Sequence, residues 1–184
     1  MFYDRVNLHQ SNITGCHISY NPGGGIVCRG GDVRNIHIGS CDIESNHAPD
    51  APPTANVLID CSGDKAGIGE IAITGCTLQH NHNSPGSANI RILGASSPTV
   101  REGNVTISGN ILSDVHQNVH LQDCRGVTIT GNAFESGFDV DLLTENCVGV
   151  VVGLNSFDRN PRYVNGEQNA RRGNPEDARS DGRR

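Results

Sequence analysis

The chain has 184 residues, a formal net charge of −6, 35% hydrophobic residues and no tryptophan. One domain is expected at this length, and a negative charge with lysine almost absent argues against a nucleic-acid partner, because neutralising phosphates needs clustered cations. No apolar run reaches membrane-span length and "MFYDRVNLHQ" lacks the regions of a secretory signal, so no membrane partner is expected. A secreted or periplasmic location follows only if a signal-bearing part precedes this chain.

Taken in order, the chain alternates two kinds of short strand unit. "NITGCHI" begins at Asn12, "GIVCR" at Gly25, "NIHIGSCDI" at Asn35, "NVLID" at Asn56 and "EIAITGCTL" at Glu70. "NIRIL" follows from Asn89, "NVTISGNIL" from Asn104, "NVHLQ" from Asn118, "GVTITGNAF" from Gly126, "VDLLT" from Val140 and "GVVVGLNSF" from Gly149. Ile, Val, Leu or Phe recur two residues apart within each unit, which is the period of a strand. The longer units hold two strands joined at a corner by Cys16, Cys41, Cys76, Asn110, Asn132 and Asn155, spaced 25, 35, 34, 22 and 23 residues apart. Spacing of this size is that of a solenoid with insertions. The predicted fold class is therefore all-β, a solenoid of about six coils with three short strands in each, over residues 1–163. A coil of this kind buries its inner face only against a neighbour of like shape, which is why the sequence repeats itself.

After Tyr163 the text "VNGEQNARRGNPEDARSDGRR" has no apolar periodicity, and 164–184 is predicted to be a disordered, charged tail. The first residues already read as mid-coil sequence, so a missing preceding segment or self-association at an uncapped first coil is expected. The seven cysteines are read as free thiols filling corner and inward slots. Stacked residues about 4.8 Å apart with parallel Cα–Cβ bonds suit a disulfide poorly.

The strand, Asn-bearing corner, strand unit resembles the right-handed parallel β-helix proteins of the pectate-lyase type, over roughly Val6 to Tyr163. The resemblance implies a single-stranded right-handed helix with a ladder of Asn110, Asn132 and Asn155 at one corner. It also implies a polysaccharide substrate lying along one sheet beside the longest loops. The paired aspartates of polygalacturonase relatives have no counterpart here, since the equivalent places read "GGG", "TAN", "SAN" and "HQN". Neither the calcium-binding acidic cluster of pectate lyases nor their arginine motif is present, so no cofactor and no metal are expected.

Alternation along the strands after the loops predicts an outward stripe of Arg29, Asp60, Arg91, His120 and Asp141. Loop residues Tyr20, His47, His80, His82 and His116 would rim it, with Asp50, Asp114 and Glu135. An Arg can pair a uronate carboxylate, and neutralising that carboxylate acidifies the neighbouring sugar proton for a His to remove. Arg91, His120 and Asp141 are the catalytic candidates, with Arg29, Asp60, Tyr20, His47, His80, His82 and His116 as substrate-binding residues. A lyase- or epimerase-like action on an acidic polysaccharide is the expected function. The alternatives are carboxylate hydrolysis by Asp60 with Asp141 or Asp139 with Asp141, a noncatalytic glycan-binding or structural segment whose outward charges form only cross-strand pairs, and a truncated, inactive fragment of either kind of protein.

Overall fold

The computed structural model describes residues 1–63, 66–80, 84–95 and 103–165; the expected tail beyond residue 165 and the candidate His82 lie outside the described residues. Six coils of three strands follow one another. They are β1 (Phe2–Asp4), β2 (Leu8–Thr14) and β3 (His17–Ser19), then β4 (Ile26–Arg29), β5 (Val33–Gly39) and β6 (Asp42–Glu44). The third and fourth are β7 (Ala55–Asp60), β8 (Ile68–Thr74) and β9 (Thr77–Gln79), then β10 (Ala88–Leu93), β11 (Val105–Ser108) and β12 (Ile111–Ser113). The fifth and sixth are β13 (Gln117–Gln122), β14 (Arg125–Thr130) and β15 (Ala133–Glu135), then β16 (Val140–Glu145), β17 (Val148–Val152) and β18 (Ser156–Phe157), after which β19 (Tyr163–Asn165) opens another turn.

Each strand pairs in parallel with its counterpart one coil away, giving sheet A (β1, β4, β7, β10, β13, β16, β19), sheet B (β2 to β17) and sheet C (β3 to β18). This is a right-handed parallel β-helix. Its core is a set of columns, because register places like residues over one another. Ile26, Val57, Ile90, Val119 and Leu142 form one column in sheet A, and Ile38, Ile73, Ile107, Ile129 and Val152 one in sheet B. In sheet C the column ends on Phe134 and Phe157, whose rings stack at 4.9 Å and 11°. Strand spacing near 4.8 Å suits aliphatic and face-stacked aromatic neighbours alike.

At the corner between sheets B and C, Cys16, Cys41 and Cys76 are followed by Asn110, Asn132 and Asn155, and one geometry accounts for both residue types. Gly15, Gly75, Gly109 and Gly131 take φ of 62° to 69° at this bend, a left-handed conformation that suits glycine, and Ser40 takes it before Cys41 with φ of 52°. The next residue then donates to one equivalent carbonyl of the preceding coil: Cys41 Sγ to Ile13 O, Cys76 Sγ to Ile38 O, Asn110 Nδ2 to Ile73 O and Asn132 Nδ2 to Ile107 O. A thiol performs weakly what the amide performs well. The amides add rungs of their own, since Asn110 Nδ2 donates to Asn132 Oδ1 and Asn132 Nδ2 to Asn155 Oδ1, both at 3.0 Å. The ladder anticipated at Asn110, Asn132 and Asn155 is thus present. All seven cysteines are free. Burial pushes Cys28 up to about 11 and Cys61 up to about 12, so both thiols stay protonated and neither is a ready nucleophile.

A second ladder, absent from the sequence reading, runs along the corner that feeds sheet A. Asn21 Nδ2 donates to Asn46 Oδ1, Asn46 to Asn56, Asn56 to Asn89, Asn89 to Asn118, and Asn118 to Asp141 Oδ1, over 2.8 to 3.3 Å. Asp141 also accepts from Arg159 Nη2 at 3.1 Å and from the Arg162 backbone N–H at 2.9 Å. A buried carboxylate needs such partners, and a terminal acceptor needs no further donor of its own.

Candidate functional site

The outer face of sheet A carries two rows rather than one stripe. Parallel register aligns Phe2, Val27, Leu58, Arg91, His120 and Leu143 in the first row. It aligns Asp4, Arg29, Asp60, Leu93, Gln122 and Glu145 in the second. Arg29 and Asp60 therefore stand one row away from Arg91 and His120, with the half-buried Leu58 and Leu93 between the two groups. Alternation fixes only which side of a strand a residue faces; the pairing decides which row it joins.

Asp141 is a correction to the expected stripe. It pairs with the position of Asn118, its side chain is 1% exposed, and it terminates the second ladder instead of facing solvent beside His120. Asp141 is the second residue of β16, at the place held by Asn56, Asn89 and Asn118 in the strands before it, where the side chain joins the corner ladder, so the outward alternation of Leu143 and Glu145 does not extend back to it.

Arg91 and His120 do come together, on the central strand β10 and its neighbour β13. The Arg91 Nε–H donates to His120 Nδ1 at 3.0 Å, while Nη2 donates to Gln117 Oε1 at 3.1 Å and to the Gly86 carbonyl. His120 Nδ1 is consequently an acceptor, its proton sits on Nε2, and Nε2–H donates to Glu145 Oε2 at 2.7 Å. The His120 side chain is only 12% exposed, against 48% for Glu145. Burial pushes the His120 imidazole below its ordinary value and the Arg91 charge adds to that, while Glu145 pulls the other way. The result is a neutral imidazole held between a cation and a carboxylate. Glu145 is the residue that sequence reasoning missed: it lies diagonally across from His120, and its place two residues beyond Leu143 in "VDLLTE" is the signal that points to it.

The other candidates separate. Arg29 Nε donates to Asp4 Oδ1 at 3.0 Å and its guanidinium lies 4.9 Å from the Phe2 ring centroid. Asp60 Oδ1 accepts from Ser62 Oγ and Ser62 N–H at 2.6 and 3.1 Å. Together with Arg5, Gly30 and Gly63 they line an open depression of about 440 Å³. Tyr20 is exposed beyond β3, and His116 is half-buried with its ring 6.1 Å from Phe138.

His47 and His80 do not rim a groove. They are buried, with ring centroids 4.1 Å apart and planes at 74°, where the loop before β7 meets the loop before β10. Loop sequence has no periodicity from which such burial can be read. Burial first, then repulsion from His80 and from the Arg91 charge, pushes His47 from 6.5 down to about 3. The folded state thus prefers the neutral ring, and its advantage is complete above pH 6.5 and declines as pH falls from there toward 3. Each unit in that window costs about 1.4 kcal/mol. The two loops are expected to open locally in acid, read as faster amide exchange around His47 at pH 4.5 than at pH 7; equal exchange rates, corrected for intrinsic pH dependence, would contradict this.

Among the described residues, His17, Asp42 and Glu44 on the outer face of sheet C bring ligand-type atoms within 4.8 Å of one another. His17 Nδ1 lies 2.9 Å from Asp42 Oδ2, and Ser19 Oγ lies 3.0 Å from His17 Nε2, so hydrogen bonds account for the cluster. No protein family, curated protein or solved structure matches the chain.

Proposed function

We propose that this chain is a pectate-lyase-like β-helix that acts on an acidic polysaccharide across the outer face of sheet A, by β-elimination or epimerisation. One observation carries the reading: Arg91 and His120 touch at 3.0 Å in the middle of the sheet, with Glu145 behind the imidazole. Arg91 is the group to pair a uronate carboxylate, since a guanidinium fork matches its geometry and the pairing lowers the cost of an adjacent carbanion. His120 is neutral near pH 7, as a proton acceptor must be, and Glu145 stabilises the cation formed when it takes the proton.

A noncatalytic, glycan-binding or structural role is the second reading. It is favoured by the pairing of Arg29 with Asp4, which leaves the depression beside Asp60 without excess positive charge. The two readings part in a screen of uronate polymers for the absorbance of unsaturated product and for altered sugar configuration, with binding measured in parallel. Product or epimer supports catalysis, binding without either supports the second reading, and a folded chain that neither binds nor converts any of them removes the glycan from both.

A further inference from the structure

We infer that Arg91 masks the base of this site: its Nε–H occupies His120 Nδ1 in the free protein, and a carboxylate ligand unmasks that nitrogen by drawing the guanidinium onto itself. Glu145 is a positioning residue in this scheme, holding the Nε2–H tautomer so that the released lone pair is the one facing the ligand. The inference rests on the acidic-glycan reading above and names how that site would be switched on.

The geometry supplies each part. Nη2 of Arg91 is anchored to Gln117 Oε1 and to the Gly86 carbonyl, so the guanidinium can pivot about that nitrogen while Nε swings away from His120. His120 is faced by Arg91 from β10, by Glu145 from β16 and by the side chain of Leu143 opposite. With the lone pair of Nδ1 shared with an N–H donor, the imidazole has no basic nitrogen to offer, because Nε2 already carries its proton. A carboxylate competes well for the guanidinium, since a charged acceptor binds it more strongly than a neutral ring nitrogen does.

The unmasked step balances without a co-reactant. The carbon–hydrogen bond beside the bound carboxylate breaks and its proton passes to Nδ1. For elimination, the electron pair forms the carbon–carbon double bond as the bond to the leaving sugar oxygen breaks, and that oxygen takes the proton back from the imidazolium. For epimerisation the carbanion is reprotonated on its other face by solvent, and the imidazolium gives its own proton back to solvent.

The test is a nuclear magnetic resonance titration of the His120 ring nitrogens in the full chain, assigned by comparison with His120→Gln. In the free protein the proton is expected on Nε2 with Nδ1 unprotonated and hydrogen-bonded. Arg91→Gln is expected to raise the His120 midpoint, and Glu145→Gln to lower it by a larger shift, since the carboxylate both accepts from the ring and attracts its charge. Galacturonate, used as the probe, is expected to raise the midpoint in the natural chain and to leave it unchanged in Arg91→Gln. A proton on Nδ1 in the natural chain overturns the masking and needs no variant to fold. A midpoint unmoved by saturating galacturonate overturns the release, even for a chain that degrades polymer. Failure of the glycan reading alone looks different: the nitrogen shifts and their response to galacturonate remain, and no polymer is converted.

Discussion

Replacing His120 with Ala is expected to lower turnover of an acidic glycan by about 10²–10⁴-fold, the usual contribution of a positioned proton acceptor. Binding should persist, because the imidazole takes the proton while the guanidinium holds the carboxylate. Arg91→Ala should instead lose binding and turnover together, since it removes both the partner of the carboxylate and the group whose charge makes the adjacent proton acidic. The burial of His120 and its two bonds, to Arg91 and Glu145, make the separation meaningful: the ring is fixed in place by neighbours that survive its removal. Dissociation constants and kcat for both variants decide the matter. If neither variant changes either quantity in a folded, active chain, the outer face of sheet A is polar surface and the site lies elsewhere.

Asp141→Ala is the substitution expected to cost most in stability. It strips the acceptor from Asn118 Nδ2 and from the Arg162 backbone N–H, and it frees Arg159 from its ion pair. Each buried donor left without a partner costs about 1–3 kcal/mol. Arg159 adds little, being about a third exposed and able to reach water. A loss of about 3 kcal/mol follows, which for a chain of this size lowers the Tm by roughly 6–12 °C. Asp141→Asn should cost about half as much, because one acceptor oxygen remains while an amide meets a donor. The exposed Asn12→Ala, a surface change, should stay within about 0.5 kcal/mol. Thermal unfolding of the three variants tests this order, and equal Tm values for Asp141→Ala and Asn12→Ala would contradict it.

The solenoid was legible because its physics is repetitive. A coil whose inner face must match its neighbour writes the same alternation again and again, and the corner at Cys76, Asn110 and Asn132 repeats with it. Arg91 opposite His120 was legible for the same reason: both follow an Asn by two residues, so register alone brings them together. Asp141 was misread because alternation was carried back through a corner, although Asn56, Asn89 and Asn118 stand at the same place and announce a ladder. Glu145 was missed since a diagonal contact depends on side-chain reach, which no one-dimensional pattern records. The burial of His47 and His80 depends on two loops folding onto each other, and loop packing leaves no period in the text.

The second ladder has a direction, and direction limits how such a protein can change length. From Asn21 to Asn118 every side-chain amide gives its hydrogen to the next coil, and from Asn46 onward each also takes one from the coil before. Turning one amide around would set hydrogens against hydrogens on one side and oxygens against oxygens on the other, so the row keeps its sense as a unit. A carboxylate can only receive, which makes Asp141 the full stop of that sentence. Duplicating the coil that carries Asn89 would insert another word of the same grammar and leave the row intact. Duplicating the coil that carries Asp141 would place one carboxylate behind another, two acceptors facing with no hydrogen between them. Gene duplication within this fold therefore has permitted and forbidden seams, set by a single atom of nitrogen replaced by oxygen.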